Sequence, residues 1–265
     1  MKVHAKKSLG QNFLQDESVV DRIVSSLDPS SDDTVIEIGP GMGALTGALS
    51  GKAGRVIAIE FDRDMVAELE RSYSDRSNLT IMNADALTVN FSDILPQDVK
   101  AKLAANLPYN ISTPILQRLI ASKELFGVSV LMLQKEVVDR ILAKPGSSDR
   151  GYLSVLVENA FDGEMLMMVP PEAFWPRPKV NSAVVRLTPR PSAVEPEALS
   201  AILSIGFRHP RKTIANNIRT SFPEAETALE LASIESRRRP ETLSLDEWAQ
   251  LILHLKKRPG PQNPV

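Results

Sequence analysis

Short apolar, β-branched runs alternate with helical periods along the first half of the chain, and this alternation constrains the fold more than any other feature of the sequence. Thr34 to Ile38, Val56 to Ile59, Leu79 to Met82, Ala101 to Ala105 and Val128 to Leu133 read as strands. Between and around them, apolar residues recur at helical spacing in Asp16 to Leu27, from Leu45 onward, and in Asp62 to Ser72, Thr113 to Ser122 and Gln134 to Leu142. Strands joined through helices run parallel, so the order predicts an α/β fold whose parallel sheet is covered on both faces. Met165 to Val169 and Ala183 to Leu187 follow with no long helix between them, which suits an antiparallel edge.

Thr188-Pro189-Arg190-Pro191-Ser192 breaks the pattern with two prolines, and every later period is helical: Leu199 to Phe207, Thr213 to Ile218, Ala225 to Ala232 and Leu245 to Leu255. A boundary near 190 therefore predicts an α/β domain over 1–189, a small all-helical domain over 190–257 and a disordered, proline-bearing tail over 258–265. The chain has no cysteine, so a disulfide framework, a thiolate metal site and a cysteine nucleophile are excluded. His4, His209 and His254 have no ligand spacing, and no metal is expected. The basic start of the chain leads into no apolar stretch of signal-peptide or membrane-span length, so a cytoplasmic location is expected. Net charge is −2 but unevenly spread: residues 1–12 hold three Lys and no acid, and residues 190–265 carry 11 Lys and Arg against 9 Asp and Glu.

Glu37-Ile38-Gly39-Pro40-Gly41-Met42-Gly43 ends one strand and opens a helix, where glycine backbone lets a ligand approach the carboxyl edge of the sheet. Glu60 ends the next strand, placed to hold ribose hydroxyls. Gly39, Gly41 and Ala44 also satisfy the dinucleotide pattern G-x-G-x-x-G/A, so the loop alone does not choose between a nicotinamide cofactor and S-adenosylmethionine. Asp85 follows the third strand, as a contact to a donor's adenine or as an Asx turn. Glu37 reads as a positioning group near the methionine end, or as a strand-end acid paired with the backbone.

Asn106-Leu107-Pro108-Tyr109 closes the fourth strand. The lone pair of an adenine 6-amino group is delocalised into the ring, so methylating it requires acceptors that draw electron density toward the attacking direction. The Asn106 side-chain oxygen and the Leu107 or Pro108 carbonyl are suited to accept from that amine, and Tyr109 can stack on the base. The same residues also suit a strand ending in a turn with a half-buried tyrosine.

Taken together with Gln11-Asn12-Phe13-Leu14, Asn110-Ile111-Ser112-Thr113-Pro114, Leu133-Gln134-Lys135-Glu136-Val137 and the run Phe174 to Val185, these motifs stand in a fixed order. From about Lys6 to Leu255 the chain closely resembles the small-subunit ribosomal RNA adenine dimethyltransferases. The resemblance implies a Rossmann-like class I methyltransferase sheet with a small helical C-terminal domain, and S-adenosyl-L-methionine as methyl donor. It also implies dimethylation of two adjacent adenosines in the 3′-terminal hairpin loop of 16S rRNA, within a 30S assembly intermediate, by a monomer that touches no membrane. The family's donor-binding positions fall on Asn12, Leu14, Gly39, Glu60, Asp85 and Asn106, and its target-base positions on Asn106, Leu107, Pro108, Tyr109 and Phe174. Asn12 also suits the cap of the helix beginning at Asp16. Phe174 would cover the face of the adenine opposite Tyr109, within the family's Phe-x-Pro-x-Pro-Lys-Val run.

Gly206 to Asn217 resembles the family's basic helix entry, with Arg208, Arg211 and Lys212 as expected RNA phosphate contacts and Arg237-Arg238-Arg239 as an addition. Pro210 stands where a polar residue is common; proline is tolerated in a helix's first turn, so it is expected to shift the helix start rather than remove the site. Three other readings compete: a macrolide-resistance methyltransferase of large-subunit rRNA, a nucleic-acid binder that keeps the fold without catalysis, and a nicotinamide dehydrogenase.

Overall fold

The computed structural model describes residues 6, 9–109 and 111–255. The expected disordered tail, Lys2, Lys7 and Asn110 lie outside these residues. In chain order come β1 (Phe13–Leu14), α1 (Glu17–Leu27), β2 (Thr34–Ile38), α2 (Ala44–Ser50), β3 (Arg55–Glu60), α3 (Arg63–Ser72), β4 (Leu79–Asn83), α4 (Phe91–Ile94), β5 (Ala101–Asn106) and α5 (Ser112–Ala121). They are followed by β6 (Phe126–Gln134), α6 (Lys135–Ile141), α7 (Tyr152–Ala160), β7 (Phe161–Val169), β8 (Phe174–Trp175), β9 (Ser182–Pro189), α8 (Pro196–Gly206), α9 (Ile214–Ile218), α10 (Ala225–Leu231) and α11 (Leu245–His254).

Seven strands form one sheet in the order β4-β3-β2-β5-β6-β9-β7, and β1 pairs with β8 in a separate ribbon. The strands β4, β3, β2, β5 and β6 run parallel, and β9 joins β6 antiparallel, as the two helix-free runs predict. From β2 the chain builds outward through β3 and β4, then returns to place β5 on the other side of β2. Such a reversal opens a crevice at the carboxyl ends of the strands. Alternation puts Val35, Val56, Ala104, Val130, Met132 and Val184 into a core with α1 and α2. Their neighbours Ile36, Ile57, Leu103, Leu131 and Val185 point the other way and are equally buried, so helices cover both faces. Truncating one such side chain to alanine costs about 2–5 kcal/mol, which keeps the strand ends in place beneath the crevice.

Contacts gather the chain into two units. The first holds the described residues up to Val138 together with Asp162–Pro189, and the second holds Asp139–Phe161 with the described residues from Arg190 onward. Helix α7 belongs to the second, packing on α8 and α11. No amphipathic stripe marks it in the sequence, because seven of its nine residues are buried. Strand β7 begins four residues before the apolar run that reveals it, since Asp162, Gly163 and Glu164 are exposed on the outermost strand.

Candidate active site

Gly39, Gly41 and Gly43 all have positive φ, at 70°, 56° and 87°. A side chain at Gly41 would be strained by its backbone and would also meet Phe13, whose ring lies 3.0 Å from where a Cβ would stand. The loop therefore stays thin between β2 and the N-terminal segment. Glu60 ends β3 almost fully buried, its carboxylate accepting the Gly41 amide at 3.0 Å and the Asp62 amide at 2.8 Å. Burial raises its pKa, against the pull of those two amides. Asp85 accepts the Leu87 amide at 2.8 Å through Oδ1, so it makes the Asx turn and lines the cavity as well. Glu37 is buried and accepts the Thr46 hydroxyl at 2.7 Å, and the Thr46 backbone amide also favours its carboxylate. With no cation beside it among the described residues, burial pushes its carboxyl up to about 8.

The Asn106 amide nitrogen donates to the Asn12 carbonyl at 3.3 Å, and its Oδ1 accepts no hydrogen bond among the described residues. The Pro108 carbonyl is taken twice, by the Ile111 amide at 3.1 Å and the Ser112 hydroxyl at 3.3 Å, as the chain turns into α5. Two donors fill its lone pairs, which leaves the Leu107 carbonyl as the second acceptor beside Asn106 Oδ1. Tyr109 is half-buried, with its hydroxyl 3.2 Å from the Ser182 hydroxyl, and burial raises its pKa. Phe174 is buried opposite Leu14 in the β1–β8 ribbon.

Asn12, Leu14, Gly39, Glu60, Asp85, Asn106, Leu107, Pro108, Tyr109 and Phe174 all line one cavity at the carboxyl edge of the sheet. Its described lining holds three acids, Glu37, Glu60 and Asp85, and no Lys or Arg. Burial leaves Glu37 neutral below about 8, so it is the wall's other acids and its lack of cations that suit a cationic sulfonium carrying an ammonium group and oppose the pyrophosphate of a nicotinamide dinucleotide. No cluster of His, Cys, Asp or Glu able to hold a metal occurs among the described residues.

Several contributors carry no local signal in the sequence. Thr46 and Ser182 are ordinary polar residues until the fold puts them beside Glu37 and Tyr109. Asp62, which caps α3, accepts from Lys6 at 2.6 Å and from Gln11 at 2.9 Å, fastening the N-terminal segment over the cavity. Burial works against its charge, but Lys6 and Gln11 together hold its carboxyl below the ordinary range. Lys6, also 2.7 Å from Asp64, is thus engaged within the protein. The cap of α1 is Asp16, which accepts the Ser18 and Val19 amides, while the Asn12 side chain donates to Gly10.

In the helical unit, Arg208, Arg211 and Lys212 are exposed, and none pairs with a carboxylate among the described residues. Pro210 lies in a turn closed by Lys212 N–H to the His209 carbonyl at 2.9 Å, and α9 begins after it, at Ile214. Buried Asn217 shapes this loop, accepting from the His209 amide at 2.9 Å and donating to its carbonyl at 3.1 Å. Arg238 is committed to Glu247 and Thr242, so only its two neighbours in the arginine triplet remain at the surface.

The sequence profile of the ribosomal RNA adenine dimethylase family matches residues 2–257. The ribosomal RNA small subunit methyltransferase A of Chromobacterium violaceum is 41% identical over 254 residues, covering 94% of this chain and 95% of its own. Among solved structures, a dimethyladenosine transferase from Plasmodium falciparum superposes with a TM-score of 0.75 at 27% identity, over 91% of this chain and 96% of its own. The 23S rRNA methyltransferase ErmE superposes at 0.71 and 26%, over 92% and 99%. The backbone is thus shared with a dimethyladenosine transferase and with a 23S rRNA methyltransferase, and higher sequence identity lies with a small-subunit rRNA methyltransferase.

Proposed function

The chain belongs to the ribosomal RNA adenine dimethylase family and is an S-adenosylmethionine-dependent rRNA adenine dimethyltransferase; we propose that it dimethylates two adjacent adenosines in the 3′-terminal hairpin loop of 16S rRNA, within a precursor of the 30S subunit. The observation that carries this reading is the meeting, in one cavity, of a wall with acids and no cation among its described residues and the acceptors of Asn106 and Leu107. We further propose that the protein works as a monomer in the cytoplasm. The location of its rRNA substrate supports the second. No helix among the described residues is long and apolar enough to cross a membrane.

When bound, S-adenosylmethionine supplies an electrophilic methyl group, whose bond to sulfur breaks as the adenine nitrogen lone pair forms the new bond to carbon. Gly39 and Gly41 let the donor approach the backbone, and Glu60 accepts its ribose hydroxyls with the lone pairs that the two amides leave free. Asp85 faces its adenine, while Asn12 and Leu14 close the methionine end. Asn106 Oδ1 and the Leu107 carbonyl accept from the target amine and hold its lone pair toward the incoming methyl. Tyr109 and Phe174 sandwich the base. Positioning of this kind supplies much of the rate, and no general base is needed, because the ammonium product loses its proton to water. In the second round the amine has one N–H left, so one acceptor is released. Arg208, Arg211 and Lys212 contact phosphates, positioning RNA without reading its bases.

The test is mass spectrometry of 16S rRNA from 30S particles that lack the modification, after incubation with the protein and donor. N6,N6-dimethyladenosine at two adjacent loop positions is expected, and methylation of 23S rRNA instead would overturn the substrate assignment. Charge reversal at Arg211 and Lys212 should weaken particle binding and flatten its salt dependence while donor affinity stays unchanged.

A further inference from the structure

The family's Phe-x-Pro-x-Pro-Lys-Val run leaves two positions open, and here they hold Trp175 and Arg177. The β1–β8 ribbon pairs Phe13 with Trp175 and Leu14 with Phe174, so alternation puts Phe13 and Trp175 on one face and Leu14 and Phe174 on the other. Phe174 is buried, whereas Trp175 is 43% exposed. The Trp175 ring lies nearly parallel to that of Phe13, at 18° and 6.3 Å between centroids. Phe13 in turn lines the cavity and touches the glycine loop. A ladder of aromatic rings thus leads from the cavity wall to an indole whose outer surface meets solvent. Arg177 and Lys179, two and four residues on, are exposed as well, and Arg177 is held only by a surface ion pair to Glu172 at 3.2 Å.

An exposed indole beside a cavity for one base, followed at alternate positions by two cations, matches the chemistry of a single-stranded nucleotide next to the target. Every base presents a π-face for stacking, and a phosphate one step along the strand meets a cation. We infer that Trp175, with Arg177 and Lys179, forms a second nucleotide subsite that stacks the unpaired RNA base flanking the adenosine in the cavity. The ion pair of Arg177 is weak at such exposure and is readily exchanged for a phosphate. The inference rests on the rRNA adenosine reading of the cavity and adds to it a grip on the neighbouring nucleotide.

The probe is an RNA stem–loop with two adjacent adenosines in its loop, titrated in the presence of S-adenosylhomocysteine so that no turnover occurs. Stacking should quench the indole emission of Trp175, and in Trp175→Phe this RNA-dependent change should vanish, since the remaining Trp248 is buried. Trp175→Ala should raise KM for the stem–loop roughly 5- to 100-fold with kcat little changed, and Trp175→Tyr should restore most of the loss. Replacing the flanking nucleotide by an abasic one should weaken the unaltered protein but add nothing to Trp175→Ala, because the two changes remove the same contact. Donor affinity, read by calorimetry, separates loss of the subsite from disturbance of Phe13. Unchanged KM in Trp175→Ala, with no emission change in the unaltered protein while it still methylates the stem–loop, overturns the subsite alone. Absence of methylation by the unaltered protein on 30S particles that lack the modification overturns the rRNA reading beneath it.

Discussion

In the donor half of the cavity the acids are held by groups near them in the chain: Asp85 by Leu87, Glu37 by Thr46, and Glu60 by Asp62 and Gly41. At the target half the partners come from far away, with Asn106 bound to Asn12 and Tyr109 to Ser182, 94 and 73 residues distant. Contacts between near neighbours in the chain form early, so the acids of the donor half are in place as soon as β2, β3 and β4 lie side by side. The acceptors for the target amine take their orientation only once the N-terminal segment and β9 have closed around β5. Donor binding and methyl transfer should therefore respond separately to mutation.

Asn106→Ala is the most severe break in this separation, removing an acceptor that matters most in the transition state. Its rate of RNA methylation should fall about 10²-fold or more while the donor dissociation constant, read by calorimetry, moves little. An equal loss of donor affinity would merge the two halves.

Glu37 probes the donor half through pH. Its carboxyl is raised from 4.5 to about 8, so the neutral form is favoured in the fold. Its contribution to stability is complete below the unfolded value of about 4.5 and is lost as pH rises through about 8. Urea melts of the unaltered protein and Glu37→Gln should diverge across that window by on the order of a few kcal/mol, with the unaltered protein losing more toward high pH. Parallel pH dependences would mean that the acid is already ionised within the fold.

Gly41→Ala sharpens the contrast from the same side. A Cβ at positive φ costs about 1–2 kcal/mol and here also meets Phe13 at 3.0 Å. Donor affinity should drop roughly 10-fold, with kcat at saturating donor nearly retained. A kcat loss at saturation would show that the glycine loop also sets the target half.

The smallest effect is expected at Tyr109. Phenylalanine keeps the stacking face and loses only the bond to Ser182, so KM for RNA should rise less than about threefold, whereas alanine should cost about 1–3 kcal/mol of base capture. Equal damage from both would make the hydroxyl, not the ring, the working group.

Much of this architecture was readable in the chain because it is periodic and local. The strand cores were located to within a few residues where both faces are buried, and the positions named for donor and target all line one cavity. Helix α7 and the ribbon of β1 and β8 escaped, the first for lack of a polar face and the second because two residues establish no period. The loop around Pro210 is shaped by the pairing of Asn217 with His209, a partnership that no local residue pattern announces.

Alternation of apolar residues encodes which face of an element is buried, and turn residues encode where it ends; from these the sequence alone determined a parallel α/β sheet, a glycine loop at its carboxyl edge, acids at the strand ends and an amide-bearing turn after β5. The direction of a hydrogen bond is not periodic and depends on what stands opposite. That Asn106 turns its nitrogen to Asn12, that the Pro108 carbonyl is consumed by α5 and leaves Leu107 free, and that Glu37 meets no cation among the described residues were decided only by tertiary structure, which sets partners tens of residues apart within 3.5 Å of one another or keeps them away.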